Sequence, residues 1–146
     1  MVIRSKLEFK MIQDLIKIFE SCGFKDATKL SELSPEDLEA KTTVLCWNRL
    51  MDNSKGSKKD SYIVYTVQDY QDNYFGDGVI VVCDMGCTID LFSVYPDTSR
   101  KSYHLRSLLE SKFVDPWKIE FNLHEYDNQT KLHHYSYTVS NIYGSE

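Results

Sequence analysis

The sequence predicts a single α+β domain: a mostly antiparallel sheet of four to six strands, with two main helices, one N-terminal and one near residues 99–113, packed on it. Three observations predict this. Helical periodicity at the N-terminus gives way after Thr42 to β-branched and aromatic runs; a second helical stretch interrupts those runs; and two long alternating segments close the chain around a polar turn. A domain of 146 residues hides roughly 68 to 70% of the surface its unfolded chain exposes, so it needs no covalent staple. No linker or repeat divides the chain, and residues 1–146 are read as one domain.

Leu7, Met11, Leu15, Ile18, Phe19 and Cys22 recur at helical spacing, with Lys6, Lys10, Asp14, Lys17 and Glu20 off the stripe. Gly23 stands where a left-handed cap is wanted, so the helix is expected to end at about Cys22. "SPEDL" opens a short helix: Ser34 can cap, Pro35 suits the first helical position, and Glu36 and Asp37 complement the helix dipole. "TTVLCWNRL", "SYIVYTV", "VIVVCD" and "CTIDLFSVY" read as strands. "DMGC" reads as a tight turn, with Gly86 at positive φ pairing Val79 to Asp84 with Cys87 to Tyr95. After Pro96, one of Asp97, Thr98 or Ser99 caps a helix carrying Leu105, Leu108, Leu109 and Phe113 on one face, and Pro116 prevents its continuation.

Composition excludes several classes. A formal charge of -5 and a pI near 5.4 argue against tight, sequence-independent nucleic-acid binding. No apolar run approaches the roughly 20 residues that cross a bilayer. Nothing resembles a signal peptide, so Cys22, Cys46, Cys83 and Cys87 are expected to be reduced intracellular thiols. Cys83 and Cys87 lack a second pair to complete a zinc site. The local basic stretch "KGSKK", with Lys55, Lys58 and Lys59, reads as a solvated loop.

Three of the four histidines fall in "HEYDNQTKLHHY", beside Glu125 and Asp127. Matching apolar faces sets Leu123 opposite His133, Phe121 opposite Tyr135, Ile119 opposite Tyr137 and Trp117 opposite Val139, around a three-residue turn at Asp127, Asn128 and Gln129. In that register His133 faces the core, while His124 and His134 share the polar face as diagonal neighbours, so the three imidazoles do not converge on a metal, and a two-histidine site needs Glu125 or Asp127 to reach across. A one-residue slip or a bulge would instead bring His124 opposite His133. "GDG" at Gly76 to Gly78 lacks the lysine and helix of a phosphate cradle. Asp84 and Asp90, read on adjoining strands, could face one another, a weak acid–base signal. Ser93 and Ser136 lack a nucleophile-elbow setting. No catalytic, cofactor or metal site is assigned, and the chain is read as a non-enzyme.

The stretch from Leu45 to Ser111, with Cys46 to Arg49, Tyr62 to Thr66, Asp69 to Asp77, Thr88 to Ser93 ("TIDLFS") and Ser99 to Phe113, followed by a hairpin from Trp117 to Tyr143, resembles one family. It is similar to the tail-completion proteins, also called tail terminators or minor capsid proteins, of long-tailed phages infecting low-GC Gram-positive bacteria. Ser61 stands where that family has a proline before the first tyrosine, and "NSKGSKKD" is polar where proline is usual. The resemblance implies a structural virion protein of the tail or neck, assembled in the host cytoplasm. It would form a homo-oligomeric ring, a hexamer in the known families, that stops tail elongation and completes head–tail joining. The implied partners are its own copies, the tail-tube protein and the connector, with DNA only passing through the lumen and no membrane contact. Asp69, Tyr70, Asp72, Asn73, Tyr74, Phe75 and Asp77, a loop mixing aromatics with acids, are the expected contact residues. Lys55, Lys58, Lys59, His124 and His134 are added as interface candidates. The alternative is a small acidic inhibitor or immunity protein binding one partner.

Overall fold

The computed structural model describes residues 4–28, 33–49, 59–68, 71–75 and 79–144. The elements run α1 (Arg4–Ser21), β1 (Lys25–Asp26), α2 (Pro35–Glu39), β2 (Leu45–Asn48), β3 (Ser61–Val67), β4 (Gln71–Phe75), β5 (Val79–Ser93), α3 (Arg100–Lys112), β6 (Lys118–Asp127) and β7 (Leu132–Gly144). One sheet holds all the strands in the order β1-β2-β3-β5-β7-β6, with β4 also on β5. β1–β2 and β2–β3 pair in parallel and the remaining pairs are antiparallel. The expected α+β class holds, with seven strands in place of four to six, because β1 and β4 are added while two expected strands are one, β5.

Helix α1 ends as its sequence dictates: Gly23 takes φ +83 and donates its N–H to Glu20 O at 2.9 Å. Ser34 accepts from Asp37 N at 3.1 Å to cap α2, and Ser99 accepts from Lys101 N at 3.1 Å to cap α3. Helices α1 and α3 share one face of the sheet. There Leu7, Met11, Leu15, Phe19 and Leu109 join Ile63, Tyr65, Ile89, Leu91, Tyr135, Tyr137 and Val139 in the main core. Each fully buried aliphatic or aromatic side chain contributes about 1.5–3 kcal/mol, so this face carries most of the stability. All four cysteines are buried; burial pushes the Cys87 thiol up to about 12.

The "DMGC" turn does not form. Residues 79–93 are one strand, and Gly86 pairs with Ser140 in an unbroken ladder to β7. Gln68 donates its backbone N–H to Gly86 O at 2.9 Å, and its side chain bonds Thr88 Oγ1. β3 and β4 thus follow one another along the same edge of β5, and the loop expected at Asp69 to Asp77 contains strand β4. Asp84 and Asp90 lie on this same strand six positions apart, about 20 Å at strand rise, so they cannot pair.

The hairpin register also differs. Ile119 opposes Val139 and Phe121 opposes Tyr137, two positions from the expected pairing; a bulge follows, and His124 then opposes Tyr135. Asn122 and Leu123 both turn away from the helices, and Asn122 Nδ2 donates to Thr138 Oγ1 at 2.8 Å. The turn is four residues, Asn128 to Lys131, closed by Lys131 N–H donating to Asp127 O at 2.8 Å, with Lys131 at φ 62.

Candidate functional site

The bulge decides where the histidines go. Past Asn122 every side chain of β6 exchanges faces, so His124 and Tyr126 join His133 and Tyr135 on the helix side. His124 Nε2 and His133 Nδ1 lie 2.8 Å apart, and His124 Nδ1 is 3.8 Å from Asp97 Oδ2, in the turn leading to α3. His124 stacks on Tyr135 with ring centroids 4.4 Å apart, and Tyr126 tilts over His133 at 4.7 Å. Burial, then the nearby His124, lowers the basicity of His133 below the ordinary imidazole range, while Asp97 opposes both.

His134 points to the opposite face, so the expected pairing of His124 with His134 is corrected: His124 meets His133 instead. His134 Nε2 contacts Asp90 Oδ1 at 2.7 Å. Its ring stacks on Phe92 at 4.6 Å, Phe92 on Tyr62 at 5.0 Å and Tyr62 on Trp47 at 5.1 Å. These distances match the spacing between neighbouring strands, so the four rings form a ladder across β2, β3, β5 and β7. An open groove of about 380 Å³ between Tyr62, Phe92 and His134 on one side and Glu125 and Asp127 on the other flanks the ladder.

Behind the first pair, the hairpin is tied to α3. Ser102 Oγ donates to Tyr135 Oη, which donates to Tyr95 O, both at 3.1 Å. Arg106 Nε donates to Tyr137 Oη at 3.1 Å, and Tyr137 Oη donates to Glu110 Oε1 at 2.8 Å. Burial raises Tyr137 to about 12. The Arg106 guanidinium lies over Phe121 and Tyr135 at 5.1 and 4.6 Å, fixing the outer strand against the helix.

Lys59 is not a surface cation. It is 4% exposed, and its Nζ donates to Asp37 O, Leu38 O and Ala40 O at 2.5, 2.9 and 2.5 Å, capping the last carbonyls of α2. It is therefore corrected from an interface candidate to a structural residue. Asp72, Asn73, Tyr74 and Phe75 lie on β4. Lys55, Lys58, Asp69, Tyr70 and Asp77 fall outside the described residues, as do Gly76 and Gly78.

Strand β6 is legible in the sequence, but its place at the edge of the sheet is not. Phe121 and Tyr126 are each 48% exposed and Leu123 is 36% exposed, although sequence alternation sets Phe121 and Leu123 on a core face. The Trp117–Tyr126 alternation carries no signal that β6 is the sheet's edge. Among the described residues no three side chains form a metal-ligating group, and no nucleophile is hydrogen-bonded to either histidine pair. No helix among them is long and apolar enough to cross a membrane. No protein-family model matches the chain, and no curated protein matches it.

Proposed function

We propose that the protein is a structural subunit that assembles with its own copies into a ring of the tail-terminator kind, acting by contact at the end of a tail tube. The observation that supports this reading best is β6. It lines the edge of the sheet over ten residues and presents Phe121, Leu123 and Tyr126 to solvent. The bulge at Asn122 and the charges of Lys118, Glu120, Glu125 and Asp127 discourage indiscriminate edge pairing. A neighbour would instead be recognised through side chains, as a heterologous contact that closes into a ring requires. In this reading the subunit resides in the tail or neck, meets tube and connector proteins, and lets DNA pass an acidic lumen without retaining it.

Negative-stain imaging and native mass measurement, alone and with tail tubes, test the proposal. Rings or capped tubes are expected for the wild type and are lost in the double variant Phe121→Glu, Tyr126→Glu, which keeps its circular dichroism. A protein that stays monomeric at high concentration and never caps tubes overturns it. A second reading, an inhibitor binding one partner, draws on the open sheet face, where Asp84, Asp90, Glu120, Glu125 and Asp127 outnumber Lys118 and Arg49. A tight 1:1 complex with a basic protein would favour that reading.

A further inference from the structure

We infer that His124 and His133 form a two-imidazole site for a divalent transition metal of the zinc class, on the helix-facing side of the C-terminal hairpin. The inference goes beyond the assembly reading and does not depend on it. Two ring nitrogens that converge from adjacent strands are already within 2.8 Å of one another. A tetrahedral zinc with bonds of about 2.0–2.1 Å holds its ligand nitrogens about 3.3 Å apart, so the pair needs to open by only about half an ångström. Side-chain rotation on two half-buried rings supplies that movement without disturbing the strands.

The other nitrogen of His124 faces the Asp97 carboxylate at 3.8 Å. A metal-bound imidazole characteristically donates its remaining N–H to a carboxylate, which fixes the tautomer and turns the ligating nitrogen toward the ion. Here Asp97, at 3.8 Å, lies within ion-pair range but beyond a direct hydrogen bond, and it has to close by several tenths of an ångström to hold the His124 tautomer with Nε2 toward His133. The stack of His124 on Tyr135 and the tilt of Tyr126 over His133 confine both rings to small rotations about their present positions. With two protein ligands, the remaining positions are filled by water, giving an open site of modest affinity. As the metal takes its place, the proton between the two nitrogens moves to the far nitrogen of its own ring, so each imidazole stays neutral with one N–H, and binding weakens in acid, where the imidazoles protonate.

Calorimetric titration of Zn²⁺ into the metal-free protein at neutral pH tests the assignment. One equivalent per chain is expected, with at least tenfold weaker binding for His124→Gln or His133→Gln and no change for His134→Gln or His104→Gln, which lie elsewhere. Long-range ¹H–¹⁵N spectra of the wild-type imidazoles provide a readout that needs no variant: Nε2 of His124 and Nδ1 of His133 are expected to shift on zinc addition. No saturable binding, unchanged affinity in both His124→Gln and His133→Gln, or shifts confined to His104 or His134 would overturn the site.

Discussion

Replacing Lys59 by methionine separates a buried cap from a surface lysine. In the structure its ammonium supplies donors to three carbonyls at the end of α2, which otherwise have no donor within the helix. Hydrogen bonds involving a charged group contribute about 1.5–3 kcal/mol each. Methionine keeps the apolar stem buried, and water reaches part of a five-residue helix end, so the net loss is about 2 to 4 kcal/mol. For a domain of this size that lowers Tm by roughly 6 to 12 °C, at about 3 °C per kcal/mol. Urea unfolding followed by circular dichroism measures it, with Lys41→Met, an exposed control, expected within about 0.5 kcal/mol of wild type. A Lys59→Met cost below about 0.5 kcal/mol would refute the capping argument and return Lys59 to the surface.

Other outcomes follow from the same packing. His133 is held below its unfolded basicity, so the unfolded chain binds the extra proton first. In metal-free protein its contribution is present above pH of about 6.5 and lost as pH falls through that range, and His133→Gln should flatten this slope in chemical denaturation. A wild-type slope indistinguishable from that of His133→Gln would contradict it. Leu109, fully buried between α3 and the sheet, should cost about 2–5 kcal/mol when truncated to alanine, read as a fall in the urea midpoint. Gly23→Ala meets no steric neighbour, so its whole cost is the left-handed backbone, about 1–2 kcal/mol. A neutral result there would mean that α1 ends differently.

How far the fold was legible depends on how local the information was. The α1 stripe, the Gly23 stop, the Ser34 cap and the limits of β3 were readable, and the α3 cap was narrowed to Asp97, Thr98 or Ser99, because each is decided within a few residues by spacing and backbone preference. The cap on α2 was half readable: Ser34 declares its role beside the helix, whereas Lys59 reaches it from 19 to 22 residues away and in sequence reads like the other lysines of "KGSKK". Gly86 misled because aspartate and glycine are turn formers in isolation. Pairing with β7 on one side and Gln68 on the other makes extension the better-bonded choice.

By itself the sequence determined an α+β domain with two main helices packed on a mostly antiparallel sheet, the inward set Tyr135, Tyr137 and Val139, and a histidine-rich hairpin. Only the tertiary structure decided that His124 meets His133 while His134 turns away to Asp90. The reason is that alternation fixes a strand's faces only while residues pair one to one. A single extra residue at Asn122, stabilised by its bond to Thr138 on the partner strand, exchanges the two faces for everything beyond it.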